Sequence, residues 1–272
     1  MNIRKTQKIL TYILLSIFAV IVAFPLVFSI LLSFSDSADI LNARYIPQIL
    51  KWENYLVAFR AQPLLHYLKN TLVVATFATI LEIIFALFAA YSLVFIPFRG
   101  KNIIFGLFMA TMMIPGEVLI ISNFKTIRSW ELLDTYIGLI LPGLASTFGI
   151  FLLRQNLKQI PWELKEASQV AGVGDFKFFY KVVIPMVKNT IITLAINNFL
   201  GNWNAYMWPL LSTTDDTVRT VQIGLRQLST SEGVNDYGMM TAGAIIVSLP
   251  TLLLIFFGQG RLQEGLSKGA LK

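Results

Sequence analysis

The chain of 272 residues contains no cysteine and one histidine, His66. Disulfides, thiol nucleophiles and cysteine-based metal sites are therefore excluded, and triad or metal chemistry has little to build on. Charge is also scarce, with 14% of residues ionisable as Asp, Glu, Lys or Arg, against about 25% in an ordinary soluble domain. No G-x-x-x-x-G-K-[ST] phosphate loop occurs, and Gly265 to Lys272 carries glycine and lysine at the wrong spacing. Nucleotide hydrolysis has no seat in this sequence. What fills it instead is apolar: 56% of the residues are hydrophobic. Such a chain cannot cover its apolar surface with polar groups in water, so a bilayer is the expected solvent.

The N-terminus carries Arg4, Lys5 and Lys8, followed by an uncharged run from Ile9 to Phe34. A cleaved signal peptide shares the basic start, but its apolar core is only about 7–15 residues long. The run predicts a retained membrane span. Five more stretches have spanning length: Thr71–Ile96, Ile103–Asn123, Tyr136–Leu153, Thr190–Ser212 and Met239–Gly258. The expected fold class is all-α: a polytopic membrane protein of six transmembrane helices in one membrane domain spanning 1–272.

Six spans put both termini on one side, and the positive-inside rule chooses that side. With a cytoplasmic N-terminus, the inner segments hold Arg99 and Lys101, then Arg154, Lys158, Lys165, Lys177, Lys181 and Lys188, and finally Arg261, Lys268 and Lys272. Only Glu163, Glu166, Asp175 and Glu264 oppose them. In the outer segments, about 35–69 and 213–238 with short connections between, acids balance bases. The formal charge of +7 thus marks orientation and does not imply a nucleic-acid partner.

The inner island 154–189 has its own pattern. Pro161 suits a first helical turn, and Leu164, Ala167, Ser168 and Ala171 then fall on one face of small and apolar groups. Gly172 and Gly174 predict the end of that helix. Asp175 is expected to cap a second helix with Phe176, Phe179, Tyr180 and Val183 on one face, and Pro185 marks a kink before the next span. A small-residue face admits close approach of another surface, with Glu166 beside it for a charge-assisted contact. An ordinary interfacial connection is the alternative.

The joint spacing of Glu166-Ala167-Ser168, Gly172 and Val182-Val183-Ile184-Pro185 resembles the cytoplasmic EAA loop of ATP-binding-cassette importer permeases. Trp52-Glu53-Asn54-Tyr55, Asn70-Thr71-Leu72, Met113-Ile114-Pro115-Gly116-Glu117, Leu141-Pro142-Gly143 and Trp203-Asn204-Ala205-Tyr206-Met207-Trp208-Pro209 resemble landmarks of the carbohydrate-type members. The smaller permease of the maltose-type importers is the nearest likeness, from about Trp52 to the C-terminus. Three positions depart from the family pattern: Ser168 for a second Ala, Ala171 for Asp and Asn189 for a second Pro. The resemblance implies the type I importer fold and a bacterial or archaeal cytoplasmic membrane with both termini inside. It also implies a second permease subunit, two ATPase subunits that bind ATP and Mg, an extracellular solute-binding protein and a sugar substrate. This chain would bind no cofactor. Glu166, Ala167, Ser168, Gly172 and Pro185 would take up force from the ATPase. The basic tail 259–272 would reach into the ATPase dimer, or else be a plain cytoplasmic end.

For the solute path, Asn197, Asn202, Trp203, Asn204 and Tyr206 in the fifth span offer amides for hydroxyls and rings for C–H faces. Helix–helix hydrogen bonding explains the amides equally, and an interfacial aromatic belt explains Tyr206 and Trp208. Glu82, within the second span, would line the path, pair at an interface or be protonated. Glu117 is expected to face an outer vestibule or the bundle, and His66 to be a surface or packing residue. Asp215, Asp216, Arg219, Glu232 and Asp236 make the loop 213–238 a candidate docking surface for the binding protein, or a solvated connection. An importer permease for a di- or oligosaccharide is the leading expectation, with a glycerol phosphate as the alternative cargo. An ion-coupled transporter would need repeat halves or paired intramembrane charges, which the sequence lacks.

Overall fold

Inside a bilayer, backbone N–H and C=O groups have no water to bond, so a long apolar run must satisfy them within its own helix. The computed structural model follows this rule. It describes residues 3–229 and 236–270, with side chains described over 7–229 and 236–258, and no strand occurs among them. In chain order the helices are α1 (Ile3–Ser33), α2 (Ser37–Leu41), α3 (Glu53–Ala61), α4 (Leu64–Phe95), α5 (Lys101–Thr111), α6 (Ile120–Ser129), α7 (Tyr136–Ile140) and α8 (Thr147–Leu157). They continue with α9 (Trp162–Val170), α10 (Asp175–Phe178), α11 (Ile184–Met186), α12 (Lys188–Trp203), α13 (Met207–Ser212), α14 (Val221–Leu228) and α15 (Tyr237–Ala270).

Three helices are long and apolar enough to cross a membrane: α1 over Gln7–Ser33, α4, and α15 over Tyr237–Gly258. Three bent pairs pass the same test when each is one span, which gives the expected six. Lys101–Thr111 and Gly116–Ser129 meet at 91°, Tyr136–Gly143 and Thr147–Leu157 at 51°, and Asp175–Met186 and Lys188–Trp203 at 75°. The breaks have local causes. Pro115 is extended at φ −58°, ψ 133° and has no N–H for the preceding turn. Pro142 interrupts the fourth span, and Ser146 restarts it by accepting the Gly149 N–H at 3.2 Å.

Several boundaries differ from those expected. The third span is two helices, because Pro115 breaks an apolar run that reads as continuous in the sequence. The fifth span ends at Trp203 and resumes only as α13. The second begins at Leu64, so His66, expected in an outer loop, is helical.

The chain forms two compact units. One comprises the N-terminal 66 residues and Gly224–Leu249; the other runs from Tyr67 to Ile223 and resumes at Pro250. In the first, Asn54 donates to the carbonyls of Ser33 and Ser35 at 2.9 and 3.0 Å, satisfying the end of α1. Gly238 lies so close that a Cβ there would stand 2.6 Å from the Asn54 amide nitrogen. The second unit contains a large core in which Leu87, Tyr91 and Phe95 of α4, Leu153 and Leu157 of α8, and Phe178, Phe179, Val183 and Leu194 pack together. That core seats the elbow formed by residues 154–189.

Candidate functional site

The elbow is a helix, a tight turn and a bent second helix. Pro161 is the cap residue of α9, extended at φ −56°, ψ 133°, one place earlier than the first turn expected of it. Gly172 has φ +68°, a left-handed conformation that glycine adopts at little cost. Its N–H reaches the Gln169 carbonyl at 3.0 Å and that of Val173 reaches Ser168 at 2.8 Å, closing the end of α9. Gly174, not Asp175, caps α10, with φ −65°. Asp175 instead pairs with Lys165, whose side chain is buried while the carboxylate is largely exposed. The Lys165 ammonium also lies 4.8 Å from the Phe178 ring centroid. Tyr91 donates to the Asp175 carbonyl at 3.3 Å, and Phe95 stacks on Trp162 at 6.0 Å. Both arms of the elbow are thereby tied to α4.

The expected apolar face of the second helix is corrected. Phe178, Phe179, Val183 and Val187 are buried, whereas Phe176 and Tyr180 are exposed. Residues Phe179–Val183 form a π turn, whose wider spacing puts Phe178 and Val183 on one face and breaks the 3.6-residue register. This turn directly precedes Pro185, which has no N–H to give. On α9, Glu166 and Ala167 are exposed and Ser168 half-buried, its hydroxyl donating to the Lys165 carbonyl at 2.7 Å. Val170 is 91% exposed, so the face around Glu166 is open to another surface.

A second constellation surrounds the broken spans. Glu82 is buried on α4 and accepts from the Asn202 amide at 3.1 Å, with the Thr79 hydroxyl 3.5 Å from the same nitrogen. A cavity of about 460 Å³ opens beside them, lined by Glu117, Asn123, Gly143, Asn202, Tyr206 and Thr220 among others. Of the five residues expected along the solute path, Asn202 and Tyr206 line this cavity. Asn197 is exposed, with its amide 3.5 Å from that of Asn198. Trp203 is buried and stacks on Phe199 at 5.7 Å, while Asn204 donates to the Leu200 carbonyl at 2.9 Å and accepts from Gln222 at 3.3 Å. Trp208 donates its indole N–H to the carbonyls of Gly138 and Leu139, both at 3.2 Å.

Sequence reasoning missed the strap that follows α13. Asp134, at φ +55°, accepts the N–H groups of Thr214 and Asp215 at 2.5 and 2.9 Å and the Thr214 hydroxyl at 2.7 Å. Burial pushes its carboxyl up, but these bonds and the Arg219 charge outweigh that and hold it below the usual carboxylate range. Asn70 donates to the carbonyls of Thr217 and Arg219, both at 3.0 Å, and accepts from Tyr136 at 2.6 Å. Asn70 stood out in the sequence only as a landmark without a role. Glu232 lies outside the described residues, as do the side chains of the tail from 259.

The family described as "Binding-protein-dependent transport system inner membrane component" matches residues 82–265. The arabinooligosaccharides transport system permease protein AraQ of Bacillus subtilis (strain 168) is 31% identical over 256 residues, 92% of this chain and 90% of that protein. The sn-glycerol-3-phosphate transport system permease protein UgpE of Yersinia pestis bv. Antiqua (strain Antiqua) is 31% identical over 272 residues, 97% of each. Among solved structures, a chain of a bacterial ABC transporter involved in the import of the acidic polysaccharide alginate superposes with a TM-score of 0.82. It is 25% identical, over 96% of this chain and 98% of that one.

Proposed function

The chain belongs to the family of binding-protein-dependent transport system inner membrane components and is a permease of an ATP-binding-cassette importer, and we propose that it moves a di- or oligosaccharide inward as the smaller of two permease subunits. Transport is by alternating access. ATP and Mg bind to two separate ATPase subunits, and an extracellular solute-binding protein delivers the cargo. Both termini lie on the cytoplasmic side of a bacterial or archaeal membrane, in keeping with the basic residues of the elbow.

The observation that carries this reading is the exposed face of α9. Glu166, Ala167 and Ser168 stand there on a helix closed by Gly172 and followed by the Pro185 bend, tied to α4 by Trp162 against Phe95 and, through the Lys165–Asp175 pair, by Tyr91. A push on that face is transmitted to α4, which carries Glu82, the hydrogen-bond acceptor of the cavity-lining Asn202. Two named relatives carry a glycerol phosphate and an acidic polysaccharide, so an anionic cargo is the second reading. The cavity argues for a neutral sugar, since Glu117 is the one charged residue in its lining and no Lys or Arg faces it. A carboxylate in the lining would repel a phosphate.

The test is uptake of labelled oligosaccharide into proteoliposomes assembled from this chain, a second permease, the ATPase and the binding protein. ATP-dependent accumulation that disappears when any one partner is omitted is expected. Accumulation by vesicles holding this chain alone would overturn the proposal.

A further inference from the structure

Among the described residues, Arg154 is a cation without an anion. It is 6% exposed, its Nε has no hydrogen-bond partner, and no carboxylate pairs with it among the described residues. Its guanidinium stacks over the Phe105 ring at 3.7 Å from the centroid, which covers one face and leaves the N–H edge to be satisfied. An uncompensated charge at such a position is costly, and in membrane proteins it is ordinarily paired.

The surroundings say what pairs it. Helices α5 and α8 run antiparallel, with Thr111 against Thr147 at 3.2 Å and Phe105 against Arg154. Continuing that register by one turn places Lys101 level with Lys158, neither of which forms an ion pair among the described residues. The N-terminus of α5 lies at the same level. Its cap, Gly100, offers no side-chain acceptor, so the first N–H groups of the helix also favour an anion. From Lys101 the i+3 row of α5 runs through Ile104 and Leu107, which are 41% and 63% exposed, an apolar track leading away from the charges into the hydrocarbon. A group with a phosphate at one end and acyl chains at the other fits both halves.

We propose that Arg154, with Lys101 and Lys158, binds the headgroup phosphate of an anionic phospholipid, whose acyl chains lie along Ile104 and Leu107. The shared chemistry is a phosphate oxyanion, and basic pockets at the ends of membrane helices hold such headgroups. The site lies at the start of the elbow, so the lipid would fix the point about which the elbow moves.

The test is native mass spectrometry of the assembled transporter from nanodiscs of phosphatidylcholine with a minor share of phosphatidylglycerol. The wild-type complex is expected to retain phosphatidylglycerol preferentially, with excess inorganic phosphate leaving the retention unchanged. Arg154→Gln is expected to lower it about fivefold, and the double change Lys101→Gln with Lys158→Gln by at least as much. The two lysines lie outside the packed core, so the double variant carries the test alone if Arg154→Gln fails to assemble. Unchanged retention in an assembled variant would overturn the proposal. So would displacement by inorganic phosphate, the mark of a free-anion site, or a cross-link joining position 154 to a carboxylate of a partner subunit.

Discussion

The indole N–H of Trp208 stands in for the N–H that Pro142 lacks. In an unbroken helix residue 142 would donate to the carbonyl of Gly138 and residue 143 to that of Leu139, and Trp208 donates to both at 3.2 Å. Broken helices survive at membrane depth only where neighbours satisfy the freed groups, and here one side chain does so for two. Trp208→Phe keeps the ring and removes the donor. We expect it to destabilise the assembled transporter by about 1–2 kcal/mol, read as a lowered Tm. An unchanged Tm would mean that another group satisfies these carbonyls.

The Lys165–Asp175 pair predicts an asymmetry. Lys165→Met places an apolar chain in a buried slot and leaves Asp175 solvated, a nearly neutral change. Asp175→Asn leaves the buried ammonium without its anion and should cost about 1–2 kcal/mol, less than a wholly buried pair because the carboxylate is still hydrated. Proteolysis within 171–175 should rise for Asp175→Asn alone. Equal cleavage in the two variants would contradict this account of the elbow.

Gly172 separates conformation from crowding. A Cβ there would meet nothing within 4 Å, yet the residue sits at φ +68°. Gly172→Ala should therefore cost about 1 kcal/mol through the backbone alone. Gly172→Asn should cost less, because Asn tolerates the left-handed region. If Gly172→Val and Gly172→Asn transport equally well, the turn does not set the elbow's shape.

Asp134 gives the strap an acid sensitivity. Its folded-state pKa lies below that of an unfolded aspartate. Its contribution is therefore fully present above the ordinary carboxylate range and is lost as pH falls through the folded value. Protection factors for amides in 213–219, each taken against the intrinsic exchange rate at that pH, should be high at neutral pH and fall in acid, and should be low at both in Asp134→Asn. A wild-type protection factor independent of pH would rule out Asp134 as the anchor.

The sequence made some of these features legible and hid others, for physical reasons. Apolar runs set the number of spans, because bilayer thickness leaves few other solutions. The turn at Gly172 was visible because a left-handed residue calls for glycine. The break at Pro115 was not, since Met113 and Ile114 before it and Val118 to Ile121 after it read as continuous hydrocarbon. The π turn at Phe179–Val183 has no signature in a pattern of apolar and polar residues, which is why the expected face joins Phe176 and Tyr180 to Phe179 and Val183 and leaves out Phe178. Lys165 and Asp175 stand ten residues apart, and the sequence offers the first only as an inner basic residue and the second as a helix cap. Around the cavity, Asn202 and Tyr206 could be read in advance as polar residues in an apolar span. Trp203 and Asn204 share that character but bond within the bundle, a distinction that only three-dimensional packing makes.

The central claim is that force from a separate ATPase enters through the exposed face of α9, and Glu166→Lys tests it most directly. ATP-dependent solute uptake by proteoliposomes holding the assembled importer is the measurement. The account predicts a variant that inserts and assembles normally but accumulates no solute, because Glu166 is exposed and its proposed role is docking. Accumulation at the wild-type rate would contradict it.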